Sequence, residues 1–505
     1  MNGITRVKAA AGLALALAAL AGAAAAGEIP RLERHGARTR LLVDGKPFAI
    51  LGGELHNSTA SSLEYLEPVW PRLAGLHLNT VLATVSWELI EPQEGQFDWT
   101  LVDGVIRQAR LHKMRLVLLW FGSWKNGVSS YAPLWVKTDL RRFPRAQNKG
   151  GRNLDVVSPF CAAARAADAR AFRMLMRHLK ETDGSEHTVL MVQIENEAGI
   201  KRNSRDYSSL AGEAYARPVA PALIRYLTAH RDQLLPETRE LWSTNGYRTS
   251  GTWSEVFGNS EWMDEAFMAW HFGRYMGTVA SEGKKEYPLP MFVNAWLQGP
   301  GQTPGIYPCG GPVARVMDFW RAAAPEIDLI APDIYLPDFK GITAEYTRLR
   351  NPLFIPEAGR GADAAAKAFY AFGQHGAIGF SPFGIDSVEA GHPIGRAYSL
   401  LEALTPAILE DEGNGRMAGV LLEKNEKTTI DIDGRRLTIG LDDQRKAPTG
   451  YGLIVVTGPG RYLAAGSNLA ISFGPVAPKQ GYVRLGSVDE MIIKDGRMLP
   501  RRCLN

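Results

Sequence analysis

The chain has 505 residues, with 45% hydrophobic and 22% charged residues, ordinary values for folded globular domains. That length allows one large barrel plus a smaller module. The formal charge of +4 includes Arg6 and Lys8 of a leader, so the remaining excess is too small to argue for nucleic acid or an anionic membrane as partner. Three cysteines, Cys161, Cys309 and Cys503, make neither a disulfide framework nor a Cys-x-x-Cys metal or redox site.

Residues 1–26 read as a signal peptide. Arg6 and Lys8 supply the charged start, an Ala/Leu/Gly stretch the apolar middle, and Ala24-Ala25-Ala26 the cleavage site. Export to the periplasm or the cell exterior is expected. No later stretch is long and apolar enough to cross a bilayer, so no membrane contact is expected after cleavage.

A polar start leads to a first strand, Pro47 to Gly53, running into Glu54-Leu55-His56-Asn57. A helix over 62–75 precedes a second strand, Leu78 to Val85, that ends in Ser86-Trp87-Glu88. Helix 99–112 precedes a third, Arg115 to Phe121, that runs into Gly122-Ser123-Trp124-Lys125-Asn126. After an excursion over 127–157 and helix 160–182 comes the fourth, Thr188 to Glu195. An insertion over 200–288 separates it from Pro290–Asn294, Ile327–Tyr335, Pro352–Pro356 and Gly376–Phe383. Helices over 312–324, 362–374 and 394–411 complete the pattern.

Eight short strands alternating with helices predict an α/β fold, a (β/α)8 TIM barrel over 27–412. A doubly wound open sheet is the alternative, but it normally carries a glycine-rich phosphate turn after its first strand, and Gly52-Gly53-Glu54 is not one. From residue 413 to 505 the pattern becomes short strand-like runs with turns, including Tyr482–Leu485. It predicts a small all-β, sandwich-like C-terminal domain, and Asp433-Gly434 reads as a two-residue hairpin turn.

The stretch Leu190 to Gly199 carries the chemistry. A buried strand has no structural need for Glu195-Asn196-Glu197 at its end, because stripping water from carboxylates is costly. In a barrel, that end is where catalysis sits. Glycoside hydrolysis needs two carboxyl groups flanking the scissile bond. Glu197 ends the fourth strand and Glu357 the seventh, so a ring of eight turns both toward one mouth. Asn196 is placed to donate to a sugar 2-hydroxyl, and Tyr335 to orient Glu357. Trp87, Trp124 and Trp296 are candidate sugar platforms or core residues, and Asn126 lies in the same loop as Trp124. Glu54, Glu88 and Glu91 either bind hydroxyls or pair with Arg and Lys. Glu195 is expected in a structural salt bridge. No His-x-His or His-Glu-x-x-His spacing occurs, so neither metal nor cofactor is expected.

Gln193-Ile194-Glu195-Asn196-Glu197-Ala198-Gly199 resembles the acid/base motif of glycoside hydrolase family 35, the β-galactosidases, with Ala198 in place of the family's tyrosine. Trp87 to Pro92 with Gly95-Gln96-Phe97-Asp98 resembles its second-strand segment, although Glu88 and Ile90 replace the usual Asn and His. Pro356-Glu357-Ala358-Gly359 fits its nucleophile position. The resemblance implies a retaining exo-β-galactosidase acting on a carbohydrate substrate, with Glu197 as acid/base and Glu357 as nucleophile. It also implies galactose removal from xyloglucan side chains; similar chains continue through further strands, so the C-terminal domain is expected to be either naturally short or incomplete. The loop Gly122 to Asn126 lacks the family's usual glutamate, and Asn57 stands after His56 where a tyrosine is often found. Another retaining barrel glycosidase, a β-glucosidase or β-glucuronidase, and a non-catalytic carbohydrate-binding protein are the rival readings.

Overall fold

The computed structural model describes residues 27–411, 413–445, 447–477, 482–494 and 497–504. The expected signal peptide lies outside the described residues. The polar start is not loop. Arg31–His35, Arg38–Val43 and Lys46–Phe48 form a three-stranded antiparallel sheet, turning at Gly36 and at Asp44-Gly45, all of positive φ. Its inner face, with Leu41 and Val43, packs on the barrel-interior residues Ile50, Leu82 and Phe354. The outer face is charged, and that alternation made the stretch look polar in sequence.

The barrel is closed and all-parallel. Its strands, first to eighth, are Ile50–Glu54, Thr80–Ser86, Arg115–Lys125, Val189–Asn196, Met291–Trp296, Leu329–Ile334, Phe354–Ala358 and Gly379–Pro382. Closure runs from Gly379 and Phe380 back to Ile50 and Leu51. Val117, Leu119, Met191, Phe292 and Phe354 fill the interior. The alternate residues Leu116, Leu118 and Val192 face the helices. Strands buried on both faces therefore read as unbroken apolar runs.

Two helices differ from expectation for stated reasons. The helix over 62–75 is split into Leu63–Leu66 and Trp70–Gly75, with Pro68 and Pro71 at the joints. The insertion contributes Glu261–Glu286, which packs on Ala162–Asp183 as part of the helical layer. Contact is so close that a Cβ on Gly283 would lie 2.2 Å from Phe172.

Beyond the helix Pro393–Asp411, two three-stranded antiparallel sheets face each other across Val420, Leu437, Ile439 and Ile454. One comprises Met417–Leu422, Gly450–Gly458 and Arg461–Ser467; the other comprises Lys427–Ile432, Arg435–Leu441 and Leu469–Pro475. Asp433 and Gly434, both at positive φ, make the expected hairpin turn. Residues 482–485 form no strand. The last hairpin pairs Asp489–Lys494 with Arg497–Cys503. The sandwich abuts the barrel at backbone level, where a Cβ on Gly373 would lie 2.7 Å from the Gly419 Cα.

Candidate active site

The fourth strand stays regular through Ile194 and then breaks twice. Glu195 and Glu197 have φ of 58° and 43°, left-handed values that are rare for residues other than glycine. Such positions cost on the order of 1–3 kcal/mol each and persist where the surroundings impose them. Gly199 follows at φ 148°, and a Cβ there would lie 2.5 Å from the Pro308 carbonyl group. The two breaks send the Glu195 side chain into the wall and the Glu197 side chain into the mouth.

Among the described residues Glu195 has no salt-bridge partner. Its carboxyl accepts the backbone N–H groups of Ser123 (3.1 Å) and Trp124 (2.7 Å) and lies against Asp168. Asp168 in turn accepts from Trp120 Nε1 and Ser123 Oγ. Burial, then the Asp168 charge, raise the Glu195 pKa well above the carboxylate range, so a proton rather than an arginine lets the two acids coexist. Gly122 is required beside them: a Cβ there would stand 2.4 Å from Trp120 Nε1 and 2.7 Å from Glu195 Oε1.

Glu197, 4% exposed, is held from three strands. Asn126 Nδ2 donates to its Oε2, and its backbone N–H donates to Asn294 Oδ1 at 3.0 Å. Asn294 Nδ2 donates to Asp333 Oδ2 at 2.7 Å. Carboxylate oxygens of Glu197, Asp333 and Glu357 all lie within 4.8 Å of one another. Tyr335 donates its hydroxyl to Glu357 Oε1 at 2.5 Å, while Glu357 Oε2 is buried without a partner. Glu54 is 1% exposed, and both its oxygens lack partners.

Crowding four acids together sets their protonation. Burial and then the Glu357 charge raise Glu197 to about 7. The same two causes hold Glu54 and Asp333 well above the carboxylate range. Tyr335 is raised by burial and by the Glu357 charge, which keeps its hydroxyl a donor. The Lys125 ammonium opposes the upward shift at Glu197 and Glu54.

Lys125 also settles the orientation of Asn196. Its Nζ donates to Asn196 Oδ1 at 2.9 Å, which fixes the amide with Nδ2 buried and unpartnered. A buried donor with no acceptor is costly in an empty site and is satisfied when a ligand oxygen arrives.

The structure corrects two of the three candidate platforms. Trp87 and Trp124 are fully buried. Trp87 Nε1 donates to Glu91 Oε2 and its ring packs against Trp120 and Trp135; Trp124 Nε1 donates to the Val157 carbonyl. Both are core, because each indole completes the apolar layer outside the strands. Trp296 is 40% exposed, with Lys201 Nζ 4.2 Å from the centre of its ring. Glu91 pairs with Arg170 and Glu88 with Lys137, so of the three strand-end glutamates in question only Glu54 is unpaired.

Asp333, Asn294 and Lys125 did not stand out in sequence as site residues. Asp333 had a signal, an acid at the end of an apolar strand in Leu329-Ile330-Ala331-Pro332-Asp333. The three-acid set offers hard oxygen donors of the kind that hold calcium or magnesium. Such binding would need all three carboxylates ionised.

Residues 70–271 match glycoside hydrolase family 42, described as beta-galactosidase, and residues 394–505 match a domain of unknown function, DUF5597. Over residues 70–271 the chain is similar to beta-galactosidases. The matched family is 42, so the number 35 drawn from the motif resemblance gains no support. The chain is 27% identical over 237 residues to a beta-galactosidase of Xanthomonas manihotis, a stretch covering 45% of this chain and 37% of that relative. Similar solved structures include the beta-galactosidase of Bacillus circulans sp. alkalophilus, at 15% identity and TM-score 0.48, covering 72% of this chain and 57% of the other. The catalytic domain of a Paenibacillus polymyxa beta-amylase is 12% identical, with TM-score 0.47, covering 68% and 96%.

Proposed function

We propose that the protein is an exported, retaining exo-β-galactosidase that removes terminal β-galactosyl residues from oligo- or polysaccharides. The observation that carries this reading is the short separation of Glu197 and Glu357, whose carboxylate oxygens lie within 4.8 Å. Retaining enzymes place their two carboxyls about 5–5.5 Å apart, whereas inverting ones leave room for a water between them.

Glu357 attacks the anomeric carbon through Oε2 while Tyr335 holds Oε1. The glycosidic C–O bond breaks, and Glu197 passes its proton to the departing oxygen. A glycosyl ester of Glu357 remains. Water then attacks the same carbon, Glu197 takes the water's proton, and Glu357 leaves as carboxylate. With a pKa near 7, Glu197 can hold its proton before the first step and accept one in the second. Asn196 Nδ2 donates to the sugar 2-hydroxyl, a contact that strengthens at the oxocarbenium-like transition state. Glu54 and Asp333 receive other sugar hydroxyls with their unpartnered oxygens, and the exposed face of Trp296 borders the leaving group.

The test is a panel of aryl β-glycosides, with the anomer of the first-formed sugar followed by NMR. Preferential hydrolysis of the β-galactoside with β-galactose released first is expected. A first-formed α-anomer would refute the mechanism, and a preference for the glucoside or glucuronide would reassign the sugar. Xyloglucan oligosaccharides with galactosyl side chains are the natural-substrate arm.

A further inference from the structure

A second cavity of about 410 Å³ lies outside the barrel wall, beside the end of the second strand. That size falls in the range of small-molecule sites. Its depth is formed by Val85, Val102, Val105 and Leu118. Val102 and Val105 stand on the helix Thr100–Leu111. Val85 and Leu118 belong to the outer apolar layer, not to the interior layer of Leu119 and Phe121. None of the four mouth acids Glu54, Glu197, Asp333 and Glu357 lines the cavity, although Thr84 and Ser86, on the opposite face of the second strand from Val85, do. Tyr131 lines the cavity and sets its ring edge-on against Phe121 at 5.0 Å.

Two polar atoms in this lining are orphaned. Asn57 Oδ1 and Ser86 Oγ are both buried and have no hydrogen-bond partner. A buried acceptor without a donor is costly, and native structures hold few such atoms without a ligand, ion or water to explain them. As the amide stands, Asn57 Oδ1 accepts, and a hydroxyl, which both donates and accepts, suits either end of the amide as well as Ser86 Oγ. The charged member of the lining, Glu88, is already neutralised by Lys137 at 2.7 Å. The lining holds no Lys or Arg to favour an anion, and the branched aliphatic walls exclude a fully hydrated guest.

We propose that this cavity binds a small alcohol or phenol, with an apolar ring or branched body against Val102, Val105 and Leu118 and a hydroxyl that donates to Asn57 Oδ1 and meets Ser86 Oγ. The assignment does not depend on the activity proposed for the carboxylate mouth.

The full chain is titrated calorimetrically with phenol and with anisole, which keeps the ring and lacks the donor. One saturable phenol site per chain is expected, with phenol at least about tenfold tighter than anisole, as for sites built around a hydroxyl. Asn57→Ala removes that preference. Val105→Phe fills the cavity, and Ser61→Trp obstructs its rim from an exposed turn; each weakens phenol at least about tenfold. The rim variant keeps the test decisive if Val105→Phe does not fold. Absence of saturable phenol binding, or wild-type binding in the rim variant, overturns the proposal. So does displacement of phenol by galactose, which would place phenol in the carboxylate mouth. If no galactoside is hydrolysed and phenol still binds with this pattern, the activity reading fails and the cavity assignment stands.

Discussion

The Tyr335 hydroxyl stands 2.5 Å from Glu357 Oε1 and leaves Oε2 without a partner. One oxygen of the carboxylate is thus held while the other faces the cavity. A hydrogen bond to a charged acceptor contributes about 1.5–3 kcal/mol. Tyr335→Phe should lower kcat by roughly 10- to 100-fold with little change in KM, and steady-state kinetics on a 4-nitrophenyl β-galactoside will read it. A change confined to KM would mean that the hydroxyl binds sugar instead.

Glu357→Gln should reduce turnover by at least roughly a thousandfold on every substrate. Glu197→Ala should retain hydrolysis of aryl galactosides whose leaving groups need no proton, and azide should restore its rate with formation of a β-galactosyl azide. An active Glu357→Gln enzyme would remove the double-displacement mechanism.

Glu197 titrates near 7 because of burial and then the Glu357 charge. The acid must be protonated for the first step, so kcat/KM should fall as pH rises through about 7. Neutralising the neighbour in Glu357→Gln should lower the Glu197 pKa, observable by carbon NMR of labelled glutamate. The linkage to stability has the same origin. The folded-state pKa lies above the reference of 4.5, so the folded form binds more protons between these values, and its stability falls as pH rises from about 4.5 to 7. Glu197→Gln should therefore be more stable than wild type at pH 8, by about 3 kcal/mol, and equal to it at pH 4. Denaturant unfolding at the two pH values checks this.

Lys125 ties Asn196 to the electrostatics of the mouth. Lys125→Met removes a charge that lowers the Glu197 pKa and frees the Asn196 amide to turn. The alkaline limb of the pH profile should move upward while kcat drops at least about tenfold. A loss of kcat with an unmoved limb would leave Lys125 a purely steric role.

Trp87 and Trp124 supply the contrast. Each is fully buried with its N–H satisfied, so substitution by alanine should cost about 3–5 kcal/mol of stability. A thermal melt will show it. Trp296→Ala, at an exposed position, should leave the melting temperature nearly unchanged and raise KM.

Periodicity and strand-end chemistry made much of this protein legible in one dimension. Eight apolar runs bounded by helices are what a parallel sheet buried on both faces requires, and they define the barrel. Glu197 and Glu357 stood out because strand ends in a core do not otherwise carry acids. Other features needed the third dimension. Trp87 opens the short helix after its strand and Trp296 ends its own strand, so one is buried and the other 40% exposed, a difference that sequence spacing does not encode. The partner of Glu195 is a proton shared across from Asp168, decided by a loop whose amides only the folded third strand presents. Asp333, Asn294 and Lys125 come from three strands far apart in the chain and acquire meaning where they meet Glu197 and Asn196. The sequence by itself determined the barrel, its order and its pair of glutamates, through local pattern. Only the tertiary structure decided which acids keep their protons and which aromatics remain open, because both depend on what closure of the barrel brings within a few ångströms.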